Sequence, residues 1–150
     1  MRTVKEILAG KPKAFNTISP HALVIDAINM LNTVNLSYLV IMDGDSYKGI
    51  FSERDYSRNV ILKGRTSSSA TVQEVMTRDL PIVELSDTLE HCIHMINMHK
   101  TRYLPAYDAD RNLAGIITIH DLLRQVLTNK DGVNASLTEQ LISNDEKGIY

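Results

Sequence analysis

Apolar and polar positions follow two rhythms along this chain, and each rhythm occurs twice. Val24, Ala27, Ile28 and Leu31 fall at i, i+3, i+4 and i+7, and so do Leu89, Cys92, Ile93 and Ile96. That spacing puts four apolar side chains on one helical face. A short apolar run follows each stripe, SYLVIM at 37–42 and RYLPAY at 102–107. Turns rich in Asp, Gly and Asn then lead into GIFS at 49–52 and GIIT at 115–118. Paired runs across such a turn predict hairpins. Each hairpin runs straight into a helix, ERDYSRNVILKG or IHDLLRQVLTNK, with Gly64 placed to stop the first. Upstream of each stripe, AFNTI and LPIVEL suit brief strands. TVKEIL (Thr3–Leu8) and TVQEVM (Thr71–Met76) open on Thr-x-x-Glu, the pattern of a capped helix start.

The chain therefore reads as one unit written twice: helix-strand-helix-strand-strand-helix, an α+β plan. The predicted division is repeat 1 over 1–64, a polar, flexible linker over 65–70 and repeat 2 over 71–130. A tail over 131–150 follows, a docking helix or a loose end. One copy alone leaves much of its surface unburied, so two copies packed sheet to sheet are expected. Met30 and Met95 beside the stripes read as core filler. Cys92 replaces Ala27 of the first copy and reads as a small buried hydrophobe.

The totals exclude some classes. A chain of 150 residues with net charge −2 and pI near 6.2 lacks the basic excess of a nucleic-acid surface. A single cysteine forms no internal disulfide, which suits a reducing compartment. No apolar run approaches the roughly 20 residues that span a bilayer. The N-terminus lacks the apolar region of a signal peptide. A soluble cytoplasmic protein with no membrane partner is expected.

The hairpin-to-helix junctions carry the candidate chemistry. Both read Gly-apolar-apolar-Ser/Thr-x-x-Asp. Gly49, Ser52, Asp55 and Arg58 answer to Gly115, Thr118, Asp121 and Arg124. One reading is structural: the hydroxyl caps the helix and the carboxylate favours its first turn. The other is a ligand cradle. Helix-start amides attract phosphate, a carboxylate accepts ribose hydroxyls, and Arg54, Arg58 and Arg124 add forked donors. Arg54 answers to His120, so the first site has a permanent charge where the second has an imidazole. The first is expected to bind phosphate better.

These duplicated units resemble cystathionine-β-synthase-type (CBS) domains, paired as the pseudo-two-fold tandem called a Bateman module. The resemblance covers Thr3 to Thr128. SERDYSR is similar to small stand-alone bacterial CBS-pair proteins linked to signal transduction, and TRYLPAYD resembles a strand these domains share. Pro105 in that strand lacks an amide donor and is expected at a strand start or edge. The resemblance implies an adenosine-type ligand in the cleft between the repeats. Ser52 and Asp55 would hold phosphate and ribose at one site, and Thr118 and Asp121 at the other. It implies adenine near Thr17, Ile18 and Ala22, with Tyr38 and Arg102 as further lining. NAD or AMP comes first, ATP next, S-adenosylmethionine after them. It also implies a homodimer paired through helices, or a dimer of such dimers, signalling to an unknown downstream protein.

Three rival readings stay in view. An enzyme would need a nucleophile–base spacing that this sequence lacks, and a duplicated Asp suits two binding sites better than an asymmetric acid and base. His91, His94 and His99 could suggest a metal, yet they lie on the polar side of their helix without a supporting motif, so no metal is assigned. The third rival is a ligand-free structural or interaction module.

Overall fold

The computed structural model describes residues 2–12, 15–128 and 138–143. The elements run α1 (Val4–Ala9), β1 (Thr17–Ile18), α2 (Val24–Val34), β2 (Tyr38–Asp43), β3 (Ser46–Ser52), α3 (Glu53–Asp55) continuing as a π-helical segment Tyr56–Ile61, α4 (Val72–Val75), β4 (Val83–Glu84), α5 (Leu89–His99), β5 (Tyr103–Tyr107), β6 (Leu113–Thr118) and α6 (Ile119–Thr128). Residues 138–143 are also helical. The strands form two three-stranded sheets, β1-β2-β3 and β4-β5-β6. In each the two-residue first strand is parallel to the middle strand, and the hairpin partner is antiparallel. Both stripes predicted from the sequence are α2 and α5. Each ends on a left-handed residue, Asn35 (φ 54°) and Lys100 (φ 53°), so the duplication extends to backbone conformation. No helix among the described residues is long and apolar enough to cross a membrane.

The compact units do not coincide with the repeats. One unit is continuous, residues 14–79; the other is split, residues 1–13 together with 80–150. The leading helices explain the difference. On α1, Val4 and Ile7 join Leu89, Ile93, Leu104 and Ile117 in the core of the split unit. On α4, Val72 and Val75 join Ala27, Leu39, Phe51 and Val60 in the continuous unit. Helices of 6 and 4 residues are far too short to persist alone, so the sheet that receives them decides where they belong. Matching amide bonds dock them: Val4 N to Asp87 O at 2.8 Å and Lys5 N to Leu85 O at 3.0 Å; Val72 N to Ala22 O at 2.9 Å and Gln73 N to Pro20 O at 3.1 Å.

The exchange also explains the glycine of the repeated motif. A Cβ on Gly49 would meet Thr77 O at 2.4 Å, and a Cβ on Gly115 would meet Leu8 Cδ2 at 2.8 Å. Each glycine lies where the arriving segment crosses the sheet.

Several expectations change. The 65–70 linker is tied down: Ala70 O accepts Val24 N and Ser67 O accepts Ile25 N, each at 2.9 Å. Leu23 offers no side-chain cap, so linker carbonyls satisfy the α2 amides that a cap would have taken. Thr3 caps α1 through Glu6 N, but Thr71 makes no such bond; its hydroxyl donates to Glu74 Oε1 at 3.0 Å instead. Pro105 lies inside β5, the central strand, opposite Ile116. Its counterpart Val40 donates its amide to Asn16 O at 2.9 Å, just before β1. That single bond is the one the second sheet forgoes. Of the tail, residues 138–143 belong to the split unit and bury Leu141 in its core; the rest lies outside the described residues.

Candidate functional site

Both Ser/Thr-x-x-Asp motifs form a closed cap at the junction of strand and helix. Ser52 ends β3 in extended conformation (φ −124°, ψ 169°) and its hydroxyl accepts Asp55 N at 3.3 Å. Asp55 Oδ2 accepts the Ser52 amide at 2.8 Å and the Ser52 hydroxyl at 3.1 Å. Oδ1 accepts the Thr77 hydroxyl at 2.7 Å and Asn59 Nδ2 at 3.4 Å. Asp55 is only 6% exposed. Burial pushes its carboxyl pKa above the ordinary value, against the opposing pull of Thr77, the Ser52 donors and the Arg58 charge.

The second copy repeats the cap with a different visitor. Asp121 Oδ2 accepts Thr118 N at 2.9 Å, and Asp121 N donates to the Thr118 hydroxyl at 3.2 Å. Lys11 meets this carboxylate as Thr77 meets the first, but on the oxygen that also accepts the cap amide rather than on the other one. Its ammonium lies 2.7 Å from Asp121 Oδ2 and donates to Ile116 O at 2.8 Å. Arg124 Nη1 stands 3.6 Å from Asp121 Oδ1. Each carboxylate is thus met by a residue just beyond a leading helix, Thr77 after α4 and Lys11 after α1.

The helix-start amides are less open than the sequence suggests. Glu53 N bonds Ser37 O at 3.1 Å and Ile119 N bonds Arg102 O at 2.9 Å, while Asp55 N and Asp121 N are held by the cap hydroxyls. Phosphate would rely on side chains more than on amides. Arg102 Nη2 and His120 Nε2 lie 3.2 Å apart beside Thr118, and Arg58 and Arg124 stand exposed on their helices. Arg54 is half-buried at the first start.

The adenine candidates divide. Tyr38 pairs with Ser52 across the hairpin, and Thr17 stands exposed beside Val40, two positions along β2. Ile18 and Ala22 pack against the core of the continuous unit instead. Sequence reasoning missed Thr77, Asn59 and Lys11. Lys11 and Asp121 are 110 positions apart, and only the exchanged helix brings them together. Thr77 lies just past the TVQEVM repeat, where the first copy has Ala9, so the asymmetry was visible while its partner was not.

Other candidate chemistry takes structural roles. Cys92 is fully buried, and burial together with the Asp87 charge pushes its thiol up to about 12, far from a nucleophile's range. His91, His94 and His99 are exposed on α5; His91 Nε2 lies 3.9 Å from Asp87 Oδ2. No group of three or more His, Cys, Asp or Glu among the described residues could hold a metal ion.

Comparison with known proteins bears on this site. The model of the CBS domain matches residues 4–61 and 72–128. A candidate signal-transduction protein with CBS domains from Burkholderia ambifaria MC40-6 superposes with a TM-score of 0.79 at 34% identity, covering 89% of this chain and all of its own. The structure of CBSX2 in complex with AMP matches with a TM-score of 0.69 at 27% identity, over 85% of this chain and 98% of that one. The mitochondrial CBS domain-containing protein CBSX3 of Arabidopsis thaliana is 27% identical over 134 residues, 83% of this chain; this chain spans 65% of its length.

Proposed function

Because the chain belongs to the CBS-domain family and carries that domain twice, we propose that it is a non-catalytic regulatory module that binds an adenine nucleotide at its paired helix starts. AMP or NAD is the preferred ligand, ATP next. The observation that carries this reading is the pair of buried carboxylates, Asp55 and Asp121, each held at a helix start with arginines close by. The CBSX2 complex with AMP supports the ligand class.

The two sites differ in how a ribose would enter. At Asp55 the replaceable donors are hydroxyls, Thr77 and Ser52. A ribose hydroxyl exchanges for a hydroxyl at little net cost. At Asp121 it must share the carboxylate with the Lys11 ammonium, whose charge-assisted bond in a buried position already holds Oδ2. The Asp55 site therefore fills first. Arg54 and Arg58 would take the phosphate there, with Thr17 and Tyr38 towards the base. Arg102, His120 and Arg124 serve the second site. S-adenosylmethionine, which has no phosphate, uses these groups least. Bound ligand biases a conformational equilibrium that a partner reads. Exposed Ile61, Leu62 and Leu127 on the closing helices, 56%, 77% and 69% exposed, suit pairing with a second copy.

A ligand-free interaction module is the second reading, favoured by the four internal donors that already saturate Asp55. Thermal shifts with AMP, ADP, ATP, NAD, NADH and S-adenosylmethionine separate the two. A ligand at about 100 times its Kd adds roughly 2.7 kcal/mol. We expect stabilisation by one adenine nucleotide, abolished in Asp55→Ala and retained in Asp121→Ala. No stabilisation by any of them would leave the interaction module.

A further inference from the structure

The split unit holds a cleft of about 670 Å³ that the paired helix starts do not use. It lies at the opposite end of the β4-β5-β6 sheet. Thr118 pairs with Tyr103 at one end of β5, whereas the cleft is walled by Tyr107 and Arg111, where Tyr107 pairs with Leu113. Four residues of strand at about 3.3 Å each separate the two places by roughly 13 Å. The volume falls in the usual range for small-molecule sites.

Its lining combines three chemistries. Ile82, Leu85 and the Tyr107 ring provide apolar and aromatic surface. Lys5 and Arg111 provide cations; Glu84 and Asp108 provide carboxylates, that of Asp108 already accepting the Asp110 and Asn112 amides of its own turn. Burial raises the Tyr107 hydroxyl pKa and the Arg111 charge opposes it. Among the described residues no hydrogen bond or ion pair engages the Lys5 ammonium or the Glu84 carboxylate.

The duplication supplies an internal control. Lys5 N bonds Leu85 O just as Gln73 N bonds Pro20 O, so Lys5 answers to Gln73 and Leu85 to Pro20. By the same alignment Tyr107 answers to Met42, and the β2–β3 turn, Asp43-Gly44-Asp45, has no cation where β5–β6 has Arg111. Fold alone therefore does not require an ammonium, an aromatic ring and a guanidinium around this space. The split unit has them and the continuous unit does not.

We propose that this cleft is a second small-molecule site, selective for an organic anion with a planar ring, the ring against Tyr107 and Leu85 and the anionic group on Lys5 and Arg111. An arginine fork and an ammonium suit phosphate or carboxylate alike. The site is independent of the nucleotide reading, because it shares no residue with either helix start.

The test is a titration of the ¹⁵N-labelled full chain with phenyl phosphate and, separately, benzoate, read by amide chemical shifts. Saturable shifts are expected at 84–86 and 107–111, with 52–55 and 118–121 unmoved. Lys5→Gln installs the residue the other unit uses, and Arg111→Asn suits the left-handed backbone there (φ 63°). Both variants should keep the wild-type spectrum, and together they should weaken binding by about tenfold or more. Phenyl phosphate alone binding would mark a phosphate site; benzoate binding as well would mark a general anion site. No saturable shift at the cleft, or equal affinity in the double variant, overturns the proposal. Shifts confined to 52–55 and 118–121 would overturn it too, and leave the nucleotide reading standing.

Discussion

At Gly49 a single methyl group would strike backbone. Ile50 and Thr77 exchange both amide bonds beside it, at 3.0 and 2.9 Å, so Thr77 O, 2.4 Å from the added Cβ, has no room to retreat without breaking them. At Gly115 the obstacle is the end of the Leu8 side chain, 2.8 Å away, which can rotate. Gly49→Ala should cost about 3 kcal/mol and Gly115→Ala about 1 kcal/mol, within the range of overpacking. Urea midpoints with unchanged slopes would measure the difference; equal losses would show that the crossing at Gly49 is looser than its bonds imply. The motif itself was legible because hydroxyl and carboxylate are three positions apart. The reason for its glycine was not, since the colliding atom lies 28 positions away at Thr77 in one copy and 107 away at Leu8 in the other.

Elements differ between the copies more than their sequences suggest. After Asp55 the helix widens into π-helical bonding, with Leu62 N to Ser57 O and Arg65 N to Val60 O spanning five residues, whereas α6 continues as an ordinary helix. Asn59 occupies the widened stretch and donates to Val75 O at 2.9 Å as well as to Asp55. Periodicity located both helices, but it carries no mark of a π-turn, which here accompanies one polar side chain reaching α4. The segment after α1 acts as a strap, with Lys11 across Asp121. Lys11→Gln should free that carboxylate, so nucleotide stoichiometry by calorimetry should rise from one per chain towards two. A stoichiometry fixed at one would mean that Lys11 does not bar the second site.

For the whole molecule, the repeat and the compact unit are different divisions of one chain. Sequence displays the repeat, because homologous stretches can be seen side by side. It hides the exchange, because α1 and α4 are equally amphipathic and either sheet would accept either helix by pattern alone. The core of the continuous unit, from Val24 to Val75, is drawn entirely from residues 14–79. A fragment of 14–79 should therefore melt cooperatively, though with marginal stability at that length, whereas a fragment of 1–64 lacks Ala70, Val72 and Val75 and should not. Melting curves by circular dichroism would compare them; a folded 1–64 would mean that α4 is dispensable. On the ribosome the same exchange sets an order of events. The continuous unit is complete once residue 79 has emerged, whereas α1, made first, must wait for β6 and α6 before Val4 and Ile7 find their sheet. Until then the nascent chain displays an apolar segment without a home, the kind of surface that chaperones shield.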